Sequence, residues 1–140
     1  MKLSDNFYLY EFTRSATATK LGIENIPNEE QTRSLRTLVT KLLQPLRNLY
    51  GKPMDVSSGF RCPQLNKAVK GSNTSDHMNG KSADIVTESA RKLLALLLKS
   101  GLSFDQAILY DDGVNHFLHL SYRSESTNRR QVLYSKNTKP

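Results

Sequence analysis

Between Asn28 and Leu49 the apolar side chains recur at three- and four-residue steps, as Leu35, Leu38, Val39, Leu42, Leu46 and Leu49. On a helix that spacing makes one apolar stripe, which commits the stretch to a place against a core. Asn28 is a helix-starting residue, and Gln31 stands where its side chain can reach back to the backbone of Asn28, the reciprocal half of a capping box. Pro45 lies inside the pattern. It lacks an N–H and crowds the preceding turn, so a kink or break is expected in the last turn. Gly51-Lys52-Pro53 then ends the element. A second helix is predicted after Thr87 as N-cap, with Ala90, Leu93, Leu94, Leu97 and Leu98 toward the core and Gly101 as its stop. Pro63, after Cys62, opens a short helix toward Val69.

Elsewhere the period shortens to that of strands. Short strands are read at Met54 to Ser57, Ser82 to Val86, Phe104 to Tyr110, Phe117 to Tyr122 and Arg130 to Tyr134. Asp112-Gly113 predicts a hairpin between the third and fourth; if its turn has two residues, Gln106 pairs with His119 and Tyr110 with Asn115. Helices come early and antiparallel strands late, which predicts an α+β fold: a small antiparallel sheet with helices packed on it. At 140 residues the chain is sized for one domain. Residues 1–140 are read as that domain, ending in a basic tail from about 124 to 140.

Composition narrows the function classes. The longest apolar run, Leu93 to Leu98, is six residues, far short of the roughly 18 that a membrane span needs. Met1 to Asp5 lacks the apolar stretch of a secretory signal, so the chain is expected to be made in the cytoplasm and to act outside it only if released or exported. With Cys62 as the single cysteine, neither an intramolecular disulfide nor a cysteine-rich zinc module can form. The net charge of +7 suggests an acidic partner. Much of it lies in Arg123, Arg129, Arg130, Lys136 and Lys139, set against Glu125 alone. No basic stripe interleaved with aromatics appears, so nucleic acid is not expected as a partner, and a monomer is.

Chemistry concentrates in two segments that hold all three histidines: Ser75-Asp76-His77-Met78-Asn79-Gly80-Lys81-Ser82-Ala83-Asp84 and His116-Phe117-Leu118-His119. A zinc ion takes neutral imidazoles and carboxylates in a tetrahedron, and a catalytic zinc keeps one position for water. His77, Asp84 and His119 would supply three such ligands. Asp84 sits in an apolar strand, where an unpaired carboxylate is costly and a cation beside it removes the cost. Gly80 lets the loop turn back. The plainer alternative is a capped turn and satisfied hydrogen bonds, and spacing alone leaves both open. Strand alternation puts His119 on one face with Phe117 and Ser121; His116 joins them only by preceding the strand or through a bulge.

Several motifs fall in a familiar order: Ser57-Ser58-Gly59-Phe60-Arg61, Leu65-Asn66, Ser75-x-His77-x-x-Gly80-x-Ser82-x-Asp84, and Phe117-Leu118-His119-Leu120-Ser121-Tyr122. Together they resemble the zinc D-alanyl-D-alanine carboxypeptidase family of peptidoglycan peptidases, in the short branch common in phages and prophage-bearing bacteria. The stretch Phe7 to Ala18, Asn25-Ile26-Pro27 and Leu43-Gln44-Pro45-Leu46-Arg47 fit that branch too, and the similarity runs from about residue 3 to 123. The resemblance implies His77, Asp84 and His119 as ligands of a zinc ion (Zn2+). It implies Arg61 as the arginine that binds substrate and steadies the developing oxyanion, and Ser75 as a substrate neighbour. The implied fold is the small mixed one shared with hedgehog signalling domains. The implied reaction is metal-assisted hydrolysis of peptide bonds in cell-wall stem peptides, in wall remodelling or phage lysis.

Two departures from the family pattern stand out. The usual alanine two before the ligand aspartate is Ser82, a small-for-small change expected to be harmless. The usual acidic general base stands either three before the last ligand histidine or after the Gln-x-Ile segment, and those positions hold His116 and Tyr110. His116 is favoured as the base, with a pKa near working pH; Asp111, Asp112 and the Tyr110 region are the alternatives. Three rival readings remain: a zinc-containing wall-binding module of the same fold without a working base, a cysteine hydrolase using Cys62, and a nucleic-acid binder drawn by the positive charge.

Overall fold

A computed structural model describes residues 1–140. The capping box forms at the helix start: Asn28 Oδ1 accepts from Gln31 N at 2.8 Å, and Gln31 Oε1 accepts from Asn28 N at 2.8 Å. Pro45 does not break the helical path. The helix α3 (Glu29–Leu38) widens into a π-helical turn, Val39–Leu43, and continues as α4 (Gln44–Tyr50). The wider turn accommodates the proline ring and its missing N–H. It also shifts the phase of the stripe, so Leu46 is buried while Leu49 is 56% exposed rather than in the core.

The late helix α6 (Ala90–Ser100) is capped by Ser89, whose hydroxyl accepts from Lys92 N at 3.2 Å. The expected cap, Thr87, instead donates its hydroxyl to the Pro53 carbonyl at 2.8 Å. Ala90, Leu93, Leu94 and Leu97 are buried, and Leu98 is partly exposed. No helix is long and apolar enough to cross a membrane.

Five strands form the main sheet: β3 (Asp55–Ser58), β4 (Ser82–Val86), β5 (Gln106–Asp111), β6 (His116–Ser121) and β7 (Gln131–Tyr134), in the order β3-β4-β6-β5-β7. The fold is α+β. All neighbours are antiparallel except β5 and β7, which run parallel, so the sheet is mixed. The strand expected at Arg130 to Tyr134 forms as β7 within the basic C-terminal stretch and lies at the edge of the sheet. Beyond β7, Thr138 Oγ1 accepts from Asp111 N and the Lys139 carbonyl accepts from Arg91 Nη1. A small hairpin, β1 (Lys2–Ser4) and β2 (Phe7–Tyr8), and the short helices α1 (Leu9–Thr13), α2 (Ala16–Leu21) and α5 (Pro63–Ala68) complete the chain.

Period-two alternation divides the sheet. Ala83, Ile85, Ala107, Leu109, Leu118 and Leu120 share one face and join Leu35, Leu38, Leu42, Leu46, Leu93 and Leu97 in one core. The other face carries Asp84, Ile108, Tyr110, Phe117 and His119. The β5–β6 hairpin pairs Asp111 with His116, Tyr110 with Phe117 and Ile108 with His119. Its loop is four residues long, Asp112 to Asn115, not two. Asp112 Oδ1 accepts from Val114 N at 3.0 Å and from Asn115 N at 2.7 Å, a side-chain turn that replaces the tighter backbone one. The register moves by two residues, an even number, so the faces keep their members.

Candidate metal centre

Asp84 and His119 are directly paired residues on β4 and β6. Antiparallel pairing puts such side chains on the same face with Cβ atoms about 4.5–5.5 Å apart, so the sheet ladder itself brings them together. His119 Nδ1 lies 2.8 Å from Asp84 Oδ1. His77 arrives from a 3-10 turn, Asp76–Asn79, begun by Ser75, whose hydroxyl accepts from His77 N at 3.2 Å, and ended by Gly80 at φ 70°. Its Nε2 lies 3.4 Å from Asp84 Oδ2. The two imidazole rings meet edge to face at 5.1 Å.

His77 Nδ1 is 2.7 Å from the carbonyl of Gly59. A carbonyl only accepts, so Nδ1 carries a proton, and Nε2 is the nitrogen turned toward Asp84. An imidazole that donates its outer N–H to a carbonyl and turns its other nitrogen inward is the arrangement metal-binding histidines use. One donor atom from each of His77, Asp84 and His119 lies within 4.8 Å of the other two. Burial opposes ionisation of Asp84, yet its hydrogen bonds with His119 and His77, and their charge, outweigh burial and hold the carboxyl well below the usual carboxylate range. Two imidazoles and one buried carboxylate form a donor set suited to a divalent transition metal.

Arg61 closes one side. Its Nη2 is 3.6 Å from Asp84 Oδ2, Nε donates to Ser58 Oγ at 3.1 Å, and Nη1 donates to Asn66 Oδ1 at 3.3 Å. Its backbone N donates to the His77 carbonyl at 3.1 Å. Burial lowers its pKa and the Asp84 charge opposes the shift. Buried Asn66 also donates to the Ser72 carbonyl at 2.9 Å, so it fixes the arginine against the loop before the 3-10 turn. The sequence marked it only as part of Leu65-Asn66. Ser75 lines the same groove as His119.

His116 does not join this group. One residue out of phase with Phe117 and His119, it lies on the other face of β6, 63% exposed at the side chain, with Nδ1 3.0 Å from Asp111 Oδ1. Asp111 is held there as well, since Arg91 Nε donates to its Oδ2 at 3.1 Å, and the Asp112 carboxylate is occupied by the hairpin loop. The site-face position belongs to Tyr110, stacked on Phe117 at 4.3 Å. Burial, then the charge of Asp84, raises the Tyr110 pKa against the opposing pull of Arg61, so the phenol keeps its proton and is a hydrogen-bond donor. Cys62 caps α5 and packs against the core.

No curated protein matches the chain. The family model described as peptidase M15 matches residues 5–121, which takes in the 3-10 turn, β4, β5 and β6 and hence every side chain of the His–Asp–His cluster and Arg61. With most of its length covered by that match, the chain belongs to the peptidase M15 family.

Proposed function

We propose that the protein is a zinc-dependent peptidase that cuts the stem peptides of bacterial peptidoglycan, as a carboxypeptidase or an endopeptidase. The observation that carries this reading is the convergence of His77, Asp84 and His119 within 4.8 Å, with Arg61 against the same carboxylate. His77, Asp84 and His119 would hold the ion. When bound, zinc supplies a Lewis acid and a water acidic enough to act near neutral pH. The chain's own side chains supply the rest. The Gly59 carbonyl fixes the His77 ring, the ladder between β4 and β6 fixes Asp84 and His119, and Arg61 offers a fixed fork of donors to the charge developing on the scissile carbonyl. Tyr110, protonated, is placed to donate a hydrogen bond to substrate. Ser75 contacts substrate along the groove.

One observation favours a second reading, a zinc-containing wall-binding module of the same fold. The base position on the site face holds Tyr110, while His116 and Asp111 pair with each other on the far face. The deciding experiment measures bound zinc per chain and release of D-alanine or shorter fragments from a D-Ala-D-Ala stem peptide. Wild type is expected to bind one zinc and cut; Asp84→Ala is expected to lose both. One zinc without cutting supports the binding module. No zinc in the wild type ends both readings.

A further inference from the structure

The family match stops at residue 121, yet the groove that holds His119 does not. It has a volume of about 380 Å³, and His119, Ile108, Ser75, Asp76, Arg123 and Arg129 are among the residues that line it. Both arginines lie past the matched residues. Asp105, fully buried, ties them down: Arg129 donates to it from Nε at 3.0 Å, from Nη2 at 2.8 Å and from its backbone N at 3.1 Å, and Arg123 Nε lies 3.1 Å from Oδ2.

Asp105 and Asp76 balance the two cations in formal charge, but they do not face the groove equally. Asp105 is wholly covered, and Asp76 is only 15% exposed and 3.7 Å from Arg123 Nη2. Nη1 of Arg123 and Nη1 of Arg129 have no protein partner. Two guanidinium groups held by a buried carboxylate and keeping free donors form a preorganised receptor for a carboxylate.

We infer that the segment after residue 121 completes the substrate groove, and that Arg123 and Arg129 select a peptide carrying a free carboxylate two to three residues from the cleaved bond. The distance comes from the ladder. His119 faces Ile108, and Asp105, the residue that holds both arginines, directly precedes β5 and stands three residues from Ile108, a backbone span of about 10 Å at the usual strand rise; an extended peptide covers such a span in roughly three residues. The inference rests on the peptidase reading above.

The test uses two stem peptides, L-Ala-γ-D-Glu-L-Lys-D-Ala-D-Ala and its analogue with the α-carboxylate of the glutamate converted to a carboxamide. Binding is measured by NMR titration of the full chain without metal, so that the peptides stay intact, and KM and kcat with the zinc-loaded chain. The acidic peptide is expected to bind at least tenfold more tightly at low salt, with the difference in KM rather than kcat. In Arg123→Gln the two peptides should bind within twofold of each other. Arg129→Gln is a second variant, informative if it folds despite the loss of the partner to Asp105. Equal affinity for the two peptides in the wild type, or a tenfold preference that persists in Arg123→Gln, overturns the inference and leaves the peptidase reading standing. Failure of both peptides to bind and to be cut overturns both.

Discussion

Replacing Gly80 with alanine tests whether the turn that carries His77 is braced against α3. Gly80 sits at φ +70°, and a Cβ there would lie 2.5 Å from the Gln31 carbonyl oxygen and 3.2 Å from Leu35 Cγ. The left-handed conformation alone costs a non-glycine residue roughly 1–2 kcal/mol. The oxygen is helix backbone, so the turn must retreat. That strains the bond from Gln31 Nε2 to the Met78 carbonyl, 3.2 Å long and worth about 1 kcal/mol. With repacking around Leu35 the destabilisation comes to about 3–4 kcal/mol, a large part of a typical stability of about 5–15 kcal/mol. Gly101 is the control: it sits at φ +76° with nothing within 4 Å of the place an alanine methyl would take, so Gly101→Ala carries only the conformational cost of about 1 kcal/mol. Urea unfolding of both variants, with zinc affinity by chelator competition, separates the contributions. Zinc affinity should fall tenfold or more in Gly80→Ala and stay unchanged in Gly101→Ala. Equal destabilisation of the two variants, or undiminished zinc affinity in Gly80→Ala, refutes the bracing of the turn by α3.

His116→Ala is expected to keep both zinc and turnover within twofold of wild type, because the ring faces away from the cluster. Tyr110→Glu should raise kcat by about 10²-fold or more, the usual contribution of a positioned general base; kcat from stem-peptide cleavage checks both variants. Ser82 Oγ is fully buried with no hydrogen-bond partner, contrary to the expectation of a harmless change from alanine. Ser82→Ala should stabilise the chain by about 1–2 kcal/mol, read as a higher urea midpoint at unchanged slope. Hydrogen bonds from the Arg129 side chain, working against burial, hold the Asp105 carboxyl below its ordinary value. A carboxyl depressed in the folded state stabilises above its unfolded pKa of about 3.9 and loses that contribution as pH falls through the folded value. Urea unfolding from pH 7 downward should therefore show a steeper acid loss for wild type than for Asp105→Asn.

How much of the fold and site was legible in the sequence depends on the range of the forces involved. The capping box at Asn28 and Gln31 and the stripe from Leu35 to Leu46 are decided by neighbours within one or two turns, and so is the αL stop at Gly101. Strand alternation by itself separates Phe117 and His119 from His116. The hairpin register was hidden because Asp112 can serve a two-residue turn by its backbone or a longer loop by its side chain, and the choice depends on what Val114 and Asn115 offer. The π-helical turn that expels Leu49 depends on how the chain absorbs Pro45 while keeping Leu46 buried. Pairing of β7 with β5 is parallel and joins residues 25 apart, with Asp105 as its buried anchor. Nothing local in Gln131 to Tyr134 announces that partner.

The placement of the cluster also sets how metal binding should couple to folding. Asp84 and His119 are neighbours across a ladder in the middle of the sheet, between β3 and β5, and the same register buries Ala83, Leu118 and Leu120 beneath them. Their relative position is thus secured by folding the core. Only His77 comes from outside the sheet, and the Gly59 carbonyl, the Ser75 cap and the Gln31 bond to Met78 already restrain its turn. A site assembled this way has little ordering left to do when an ion arrives. Zinc addition to the apoprotein should shift backbone amide resonances mainly from residues 75 to 84 and their contacts, and the apoprotein should unfold cooperatively on its own. A chain that gains its secondary structure only on adding zinc, in the manner of a zinc finger, would contradict this division of labour between sheet and turn.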